Sequence, residues 1–240
     1  MSDIAEPANA SALPPITSSL IIGTALAMFE GTFSRTAHAW VIIILLDVAY
    51  RLGPLVPQFD RFELGLLILV LQFYATGAAT RGLLRDRMGL WVLDRGCAKY
   101  IGITLLLFLP PTLVMLVATV LLHSSDLGKV LAIPVIIVLL RYFLWPIGLL
   151  IGYRAMTASE SARLMSGRLL SVIGALLLVS LCIVPVIALL LIPEFWMTET
   201  PTLNVVDQTF WAVASGLITI ATASIWAAMY KLTADRAEAS

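Results

Sequence analysis

KYIGITLLLFLPPTLVMLVATVLLHSSDLGKVLAIPVIIVLLRYFLWPIGLLIG, residues 99–152, decides the class of this chain. Its two apolar runs, Lys99 to Leu122 and Gly128 to Gly152, are joined by the short polar link His123 to Leu127. A helix of about 20 largely apolar residues covers the roughly 30 Å of hydrocarbon in a bilayer. Each run meets that length, and so short a link returns the chain to the side it came from. The pair reads as a transmembrane hairpin. The same pattern flanks it on both sides: Thr36 to Val56 with Phe62 to Thr80, and Arg168 to Ile192 with Gln208 to Tyr230. The expected fold class is all-α, a polytopic membrane protein of six transmembrane helices.

Composition agrees. The 240 residues are 60% hydrophobic and 12% charged, where a soluble domain is close to half apolar and about a quarter charged. The mean hydropathy is +0.98, and no water-soluble fold hides that much apolar side chain. A net charge of +0, with the basic residues scattered between apolar runs, gives no nucleic-acid footprint. Asp3 and Glu6 with no Lys or Arg make Met1 to Pro15 a flexible lead-in, not the basic start of a signal peptide. Cys97 and Cys182 fall at different expected membrane depths, so both read as ordinary packing residues with no disulfide between them.

Charge asymmetry orients the spans. Alternating topology puts Arg35, Arg81, Arg85, Arg87, Arg95, Lys99, Arg154, Arg163, Arg168, Lys231 and Arg236 on one side, against Arg51, Arg61 and Lys129 on the other. The positive-inside rule then assigns both termini to the cytoplasm of a bacterial inner membrane. The external connection Pro193 to Asp207 carries Glu194, Glu199 and Asp207 and no basic residue. Trp40, Tyr100, Tyr153 and Tyr230 fall near the cytoplasmic boundary, and Phe59, Phe195, Trp196, Phe210 and Trp211 near the external one, as interfacial anchors.

Each hairpin has a lead-in. Ile22, Leu26, Phe29 and Phe33 recur at helical spacing within Ser18 to Arg35, Leu84, Met88 and Trp91 within Arg81 to Arg95, and a weaker version occupies Met156 to Gly167. All three are expected as amphipathic helices lying at the cytoplasmic headgroups. Leu93-Asp94-Arg95-Gly96 rhymes with Leu164-Met165-Ser166-Gly167, and Met28-Phe29-Glu30-Gly31 is a fainter copy. The chain then divides into a tail at 1–15, one membrane domain at 16–231 built of repeats 16–80, 81–152 and 156–231, and a cytoplasmic tail at 232–240.

The run Ala158 to Leu181, ASESARLMSGRLLSVIGALLLVSL, resembles the cytoplasmic helix and following span of the membrane domain found on bacterial glycerophosphodiester phosphodiesterases and in stand-alone six-span relatives. The opening SSLIIGTALAMFEGTFSR and the closing Trp226-Ala227-Ala228-Met229-Tyr230-Lys231-Leu232 are similar to the ends of that domain. The resemblance spans nearly the whole chain. It implies a membrane accessory or scaffold, any phosphodiesterase chemistry belonging to a separate soluble domain. That chemistry needs a metal cluster of acids and histidines, whereas His38 and His123 fall at opposite ends of their spans. No catalytic, metal or cofactor-binding residue is expected, because phosphate loops, H-E-x-x-H and G-x-S-x-G are all missing.

Three constellations remain. Asp47 and Arg141 each fall near the middle of a span, where an ionisable group is costly unless paired or hydrated. They are expected partners, with Arg51 one turn from Asp47; the polar set serves either as a structural lock or as a midplane site of a small-solute transporter or channel. Arg81, Arg85, Arg87, Arg95 and Lys99 are candidate contacts to anionic lipid headgroups. Small residues at Gly148 and Gly152, and at Ala212, Gly216, Thr219, Ala223 and Ala227, are expected to let helices approach closely, within the bundle or in a homo-oligomer. Pro110, Pro111, Pro134, Pro146 and Pro185 should kink their spans. The functional expectation is a non-catalytic membrane scaffold or accessory with lipid and a membrane protein as partners.

Overall fold

A computed structural model describes residues 15–52, 62–84, 89–152, 156–196 and 201–239. The first fourteen residues, Phe59, Arg61, Arg85, Arg87, Met88, Tyr153 and Arg154 lie outside the described residues, as do the side chains of 183–204. The described residues are helical, with no strand: α1 (Ser18–Leu52), α2 (Phe62–Leu83), α3 (Arg95–Leu122), α4 (Ser125–Leu139), a 3₁₀ turn at Leu140–Tyr142, α5 (Leu144–Ile151), α6 (Ala158–Met165), α7 (Leu169–Trp196) and α8 (Pro201–Ala239). Five stretches are long and apolar enough to cross a membrane, or six when the bent pair α6–α7 counts as one. Hairpin-forming apolar runs therefore become helices at nearly the expected places.

α1 departs from expectation. It is one helix of 35 residues, about 52 Å long at 1.5 Å per residue, with no break where a lead-in helix was to meet a span at Arg35. Nothing in the sequence there removes a backbone donor, and a single buried stripe runs through: Ile21, Ala25, Met28, Thr32, Thr36, Ala39, Ile43 and Asp47. The hydroxyls on that stripe are satisfied inside the helix. Thr32 donates to the Met28 carbonyl at 2.7 Å, Thr36 to the Thr32 carbonyl at 3.0 Å, and Trp40 Nε1 to Thr36 Oγ1 at 2.8 Å. The buried face is also turned by one residue from the apolar face expected. Leu26 and Phe33 are 57% and 51% exposed, because in a bilayer large apolar side chains can face lipid while small and hydroxylated ones let helices meet.

The second expected lead-in is not a separate helix among its described residues either. Arg81 lies in the last turn of α2, residues 89–94 are non-helical, and Asp94 caps α3, its side chain accepting from the Cys97 amide. Leu84 and Trp91 pack on the core there. Among the described residues the third lead-in alone is a separate helix: α6, capped by Thr157, meets α7 at 78°. Gly167 makes that bend at φ +76°, a left-handed conformation that side chains with a Cβ avoid.

The prolines act unequally. α3 runs through Pro110 and Pro111 and α4 through Pro134, but the helical ladder changes to 3₁₀ at Leu140–Tyr142. Pro146 lies four residues beyond Tyr142 and offers its carbonyl no N–H, the spacing at which a proline disfavours the α-helical ladder. α8 continues through Ala239, so the expected C-terminal tail from Leu232 is helical.

α1, α2 and α8 pack together at the centre, with every residue from Ala223 to Tyr230 buried. α4 stands outside, resting on α3 where Gly128 meets Met115 and Ala118. Its Val130, Ile133 and Val138 are exposed, a surface suited to lipid tails.

Candidate functional site

Two polar centres lie inside this bundle. The first is built on Arg81, which helix geometry places on the last turn of α2 facing inward at 1% exposure. Its Nη1 donates to the Val92 carbonyl at 2.6 Å, and its Nη2 to Asp94 Oδ1 at 2.7 Å and to the Leu150 carbonyl at 3.2 Å. Asp94 Oδ1 also accepts from the Cys97 amide at 2.7 Å. One guanidinium thus ties the end of α2, the cap of α3 and the end of α5. Partial burial pushes the Asp94 carboxyl up, but the Cys97 amide and the Arg81 guanidinium outweigh it and hold the group below the ordinary carboxylate range.

Packing around this clamp is close. A Cβ at Gly96 would stand 2.7 Å from the Leu149 carbonyl, and one at Gly77 3.1 Å from Tyr100. Tyr74 donates to the Trp91 carbonyl, and the Trp91 ring lies 5.6 Å from Tyr74 and 5.5 Å from His38. The 89–94 segment is thereby pinned to α1 and α2.

The second centre is Asp47. It is 5% exposed on the stripe of α1 that faces α2 and α8. Ser215 Oγ of α8 lies 3.5 Å from Asp47 Oδ1, Gln72 of α2 and Arg51 act on the same carboxylate, and Oδ2 has no hydrogen-bond partner among the described residues. Beside it α1 and α8 nearly touch: a Cβ at Gly216 would stand 2.8 Å from Ile44 Cγ1.

Arg141 is not part of that centre. It is exposed in the 3₁₀ turn, where its carbonyl accepts from Ser161 of α6 at 2.8 Å, and no ion pair with Asp47 forms. The expected pairing fails because α1 packs on α8 and α2, while α4 packs on α3. Arg51, on the same helix, acts electrostatically on Asp47.

Of the expected lipid contacts, Arg95 and Lys99 are exposed on the first turns of α3. Arg81 is a correction: it is buried, because three acceptors converge on it. Arg85 and Arg87 lie outside the described residues. The small-residue stripe of α8 is internal, Ala212, Gly216, Ala223 and Ala227 all being buried. Gly148 lets Met156 approach, but Gly152 is no packing residue. It is the left-handed cap of α5 at φ 67°, its N–H donating to the Gly148 carbonyl at 3.2 Å. Cys97 and Cys182 are free thiols, the first buried and the second exposed.

Sequence reasoning missed Asp94, Ser161, Gln72 and Ser215. Asp94 had a signal, since an acid three residues before Cys97 at the head of an apolar run is an N-cap pattern. No protein-family model, curated protein or solved structure matches the chain.

Proposed function

We propose that this chain is a non-catalytic integral membrane scaffold or accessory protein. It sits in the bacterial inner membrane with both termini in the cytoplasm, in contact with anionic lipid and a membrane partner. The observation that carries the reading is the Arg81 clamp: the best-connected polar cluster joins α2, α3 and α5 and leaves its basic group with no access to a substrate. Arg95 and Lys99, exposed on α3, are the lipid-facing charges of this reading. The transport alternative needed Asp47 and Arg141 in one site, and their separation removes its second half.

The domain plan of three repeats has support from two of them. Thr17 Oγ1 accepts from the Leu20 amide at 3.3 Å and lies 3.0 Å from Ser19 Oγ. Thr157 Oγ1 accepts from the Glu160 amide at 3.2 Å and lies 3.1 Å from Ser159 Oγ. Ile16, Ile21 and Ala25 are buried at the same offsets from Thr17 as Met156, Ser161 and Met165 are from Thr157. In this register the position matching Gly167 is Ala27, not Gly31, so α1 runs straight where α6 turns into α7. The resemblance of 158–181 to the phosphodiesterase-associated membrane domain fits the same accessory role.

Purification in mild detergent, followed by mass spectrometry of co-purifying proteins and lipids, tests the reading. A stoichiometric membrane partner and retained anionic lipid are expected, with lipid retention weakened by Arg95→Gln with Lys99→Gln. Partner-free proteoliposomes that move a solute would overturn it.

A further inference from the structure

We infer that Asp47 is a proton-binding site, its Oδ2 holding a proton while α1, α2 and α8 are packed together. An ionised carboxylate draws donors to about 2.7–2.9 Å. Here the Ser215 hydroxyl stands at 3.5 Å from Oδ1, the outer limit of a hydrogen bond, Gln72 acts on the same carboxyl, and Oδ2 has no donor among the described residues while being shut off from solvent. That is the surrounding of a neutral acid. A protonated carboxyl has one O–H to give and one oxygen to accept with, and the neutral neighbours from the other two helices, Gln72 and Ser215, can each serve either need.

The occupant is a proton and not a metal ion for a structural reason. Hard cations collect six or more oxygens, whereas the side chains acting on this carboxyl are Gln72, Ser215 and the cationic Arg51, in an interface so tight that Gly216 has no room for a Cβ. Arg51 is the charged group acting on the carboxylate from α1; Gln72 of α2 and Ser215 of α8 are uncharged. Release of the proton leaves an anion at the junction of three helices, with Gln72, Ser215 and Arg51 as the groups that act on it. The site is thus coupled to how α1 and α8 pack. It is an ionisable position inside the membrane bundle of the kind that marks proton relays.

The test is infrared spectroscopy of the full chain in liposomes, with aspartate carboxyls isotopically labelled. At neutral pH the wild-type protein should show the carbonyl stretch of a protonated acid in a dry environment, and Asp47→Asn should lack it. Ser215→Ala should shift the band, and Arg51→Gln, which removes the cation acting on the carboxyl, should strengthen the band at neutral pH. These last two variants carry the test if Asp47→Asn does not fold. Absence of the band at neutral pH, or its loss when sodium replaces choline in the buffer, would overturn the proposal, the second result assigning the site to an alkali cation.

Discussion

Replacing Arg81 by Gln should cost the protein several kcal/mol and change its lipid binding not at all. The side chain is 1% exposed and donates to three acceptors. Glutamine is too short and has one amide group, so at least one of the Val92 and Leu150 carbonyls loses its donor, at about 1–3 kcal/mol each. Asp94 keeps the Cys97 amide but loses its counter-charge; because it is 27% exposed, water recovers part of that loss. About 3–5 kcal/mol in total matches the cost of breaking a buried ion pair by removing one partner. Asp94→Asn alone retains the cap and should cost about 1–2 kcal/mol, and the double variant should fall short of the sum by a coupling of about 0.5–3 kcal/mol. Reversible unfolding in mixed micelles, read by tryptophan fluorescence, measures all three, with anionic-lipid retention assayed on the same samples. An Arg81→Gln protein within about 0.5 kcal/mol of wild type, or one that sheds lipid at unchanged stability, would refute the clamp and return Arg81 to the headgroups.

Three further outcomes follow from the same contacts. Gly96→Ala should destabilise by about 1–3 kcal/mol, since its Cβ would meet the Leu149 carbonyl at 2.7 Å, while Gly102→Ala, with open space around it, should be neutral or mildly stabilising; thermal unfolding separates the pair. Because the Asp94 carboxyl is held below its ordinary value of 3.8, the clamp's ionic contribution is complete above that value and is lost as pH falls through the lower folded one. The wild-type minus Asp94→Asn stability difference should therefore be flat above about pH 5 and close below it, and a difference that widens in acid would contradict the sign. Ser161→Ala should loosen α6 from the 3₁₀ turn at a cost of about 0.5–1.5 kcal/mol, seen as faster hydrogen exchange confined to α6.

The helices were legible because bilayer thickness fixes the length of an apolar run, a quantity independent of tertiary detail. Lys99 to Leu122 had to become one helix whatever it packed on. What the charge pattern could not give was the start of α1: Arg35 resembles a membrane boundary, but a boundary interrupts a helix only if something removes a hydrogen bond, and Thr32 and Thr36 bond within the helix. The one-residue error in the buried face has a different origin. Ile22, Leu26, Phe29 and Phe33 form the more apolar stripe, and in water that stripe would be inside. In lipid, apolarity does not decide which side is inside, and close approach does.

The polar centres were the least legible because sequence reading sent each charge to water or to another charge. In this fold the Arg81 guanidinium serves two backbone carbonyls as well as Asp94, and serine hydroxyls answer other carbonyls. Leu150 lies in the last turn of α5, just before the Gly152 cap, so its carbonyl is among those a helix end leaves without an intrahelical donor, and Arg81 supplies one. The Arg141 carbonyl, inside the 3₁₀ break upstream of Pro146, receives Ser161; the Ile16 carbonyl, just ahead of α1, receives Ser171, whose own carbonyl receives Ser18. Donors such as Ser161 and Ser171 cannot be found by matching opposite charges. They can be sought by locating the breakers Pro146 and Gly152, counting the carbonyls they strand, and asking which Arg or Ser can reach them. Asp47 is an exception to this count: it lies in an unbroken helix, answers no stranded carbonyl and has no ion pair among the described residues, so helix construction leaves its burial unexplained.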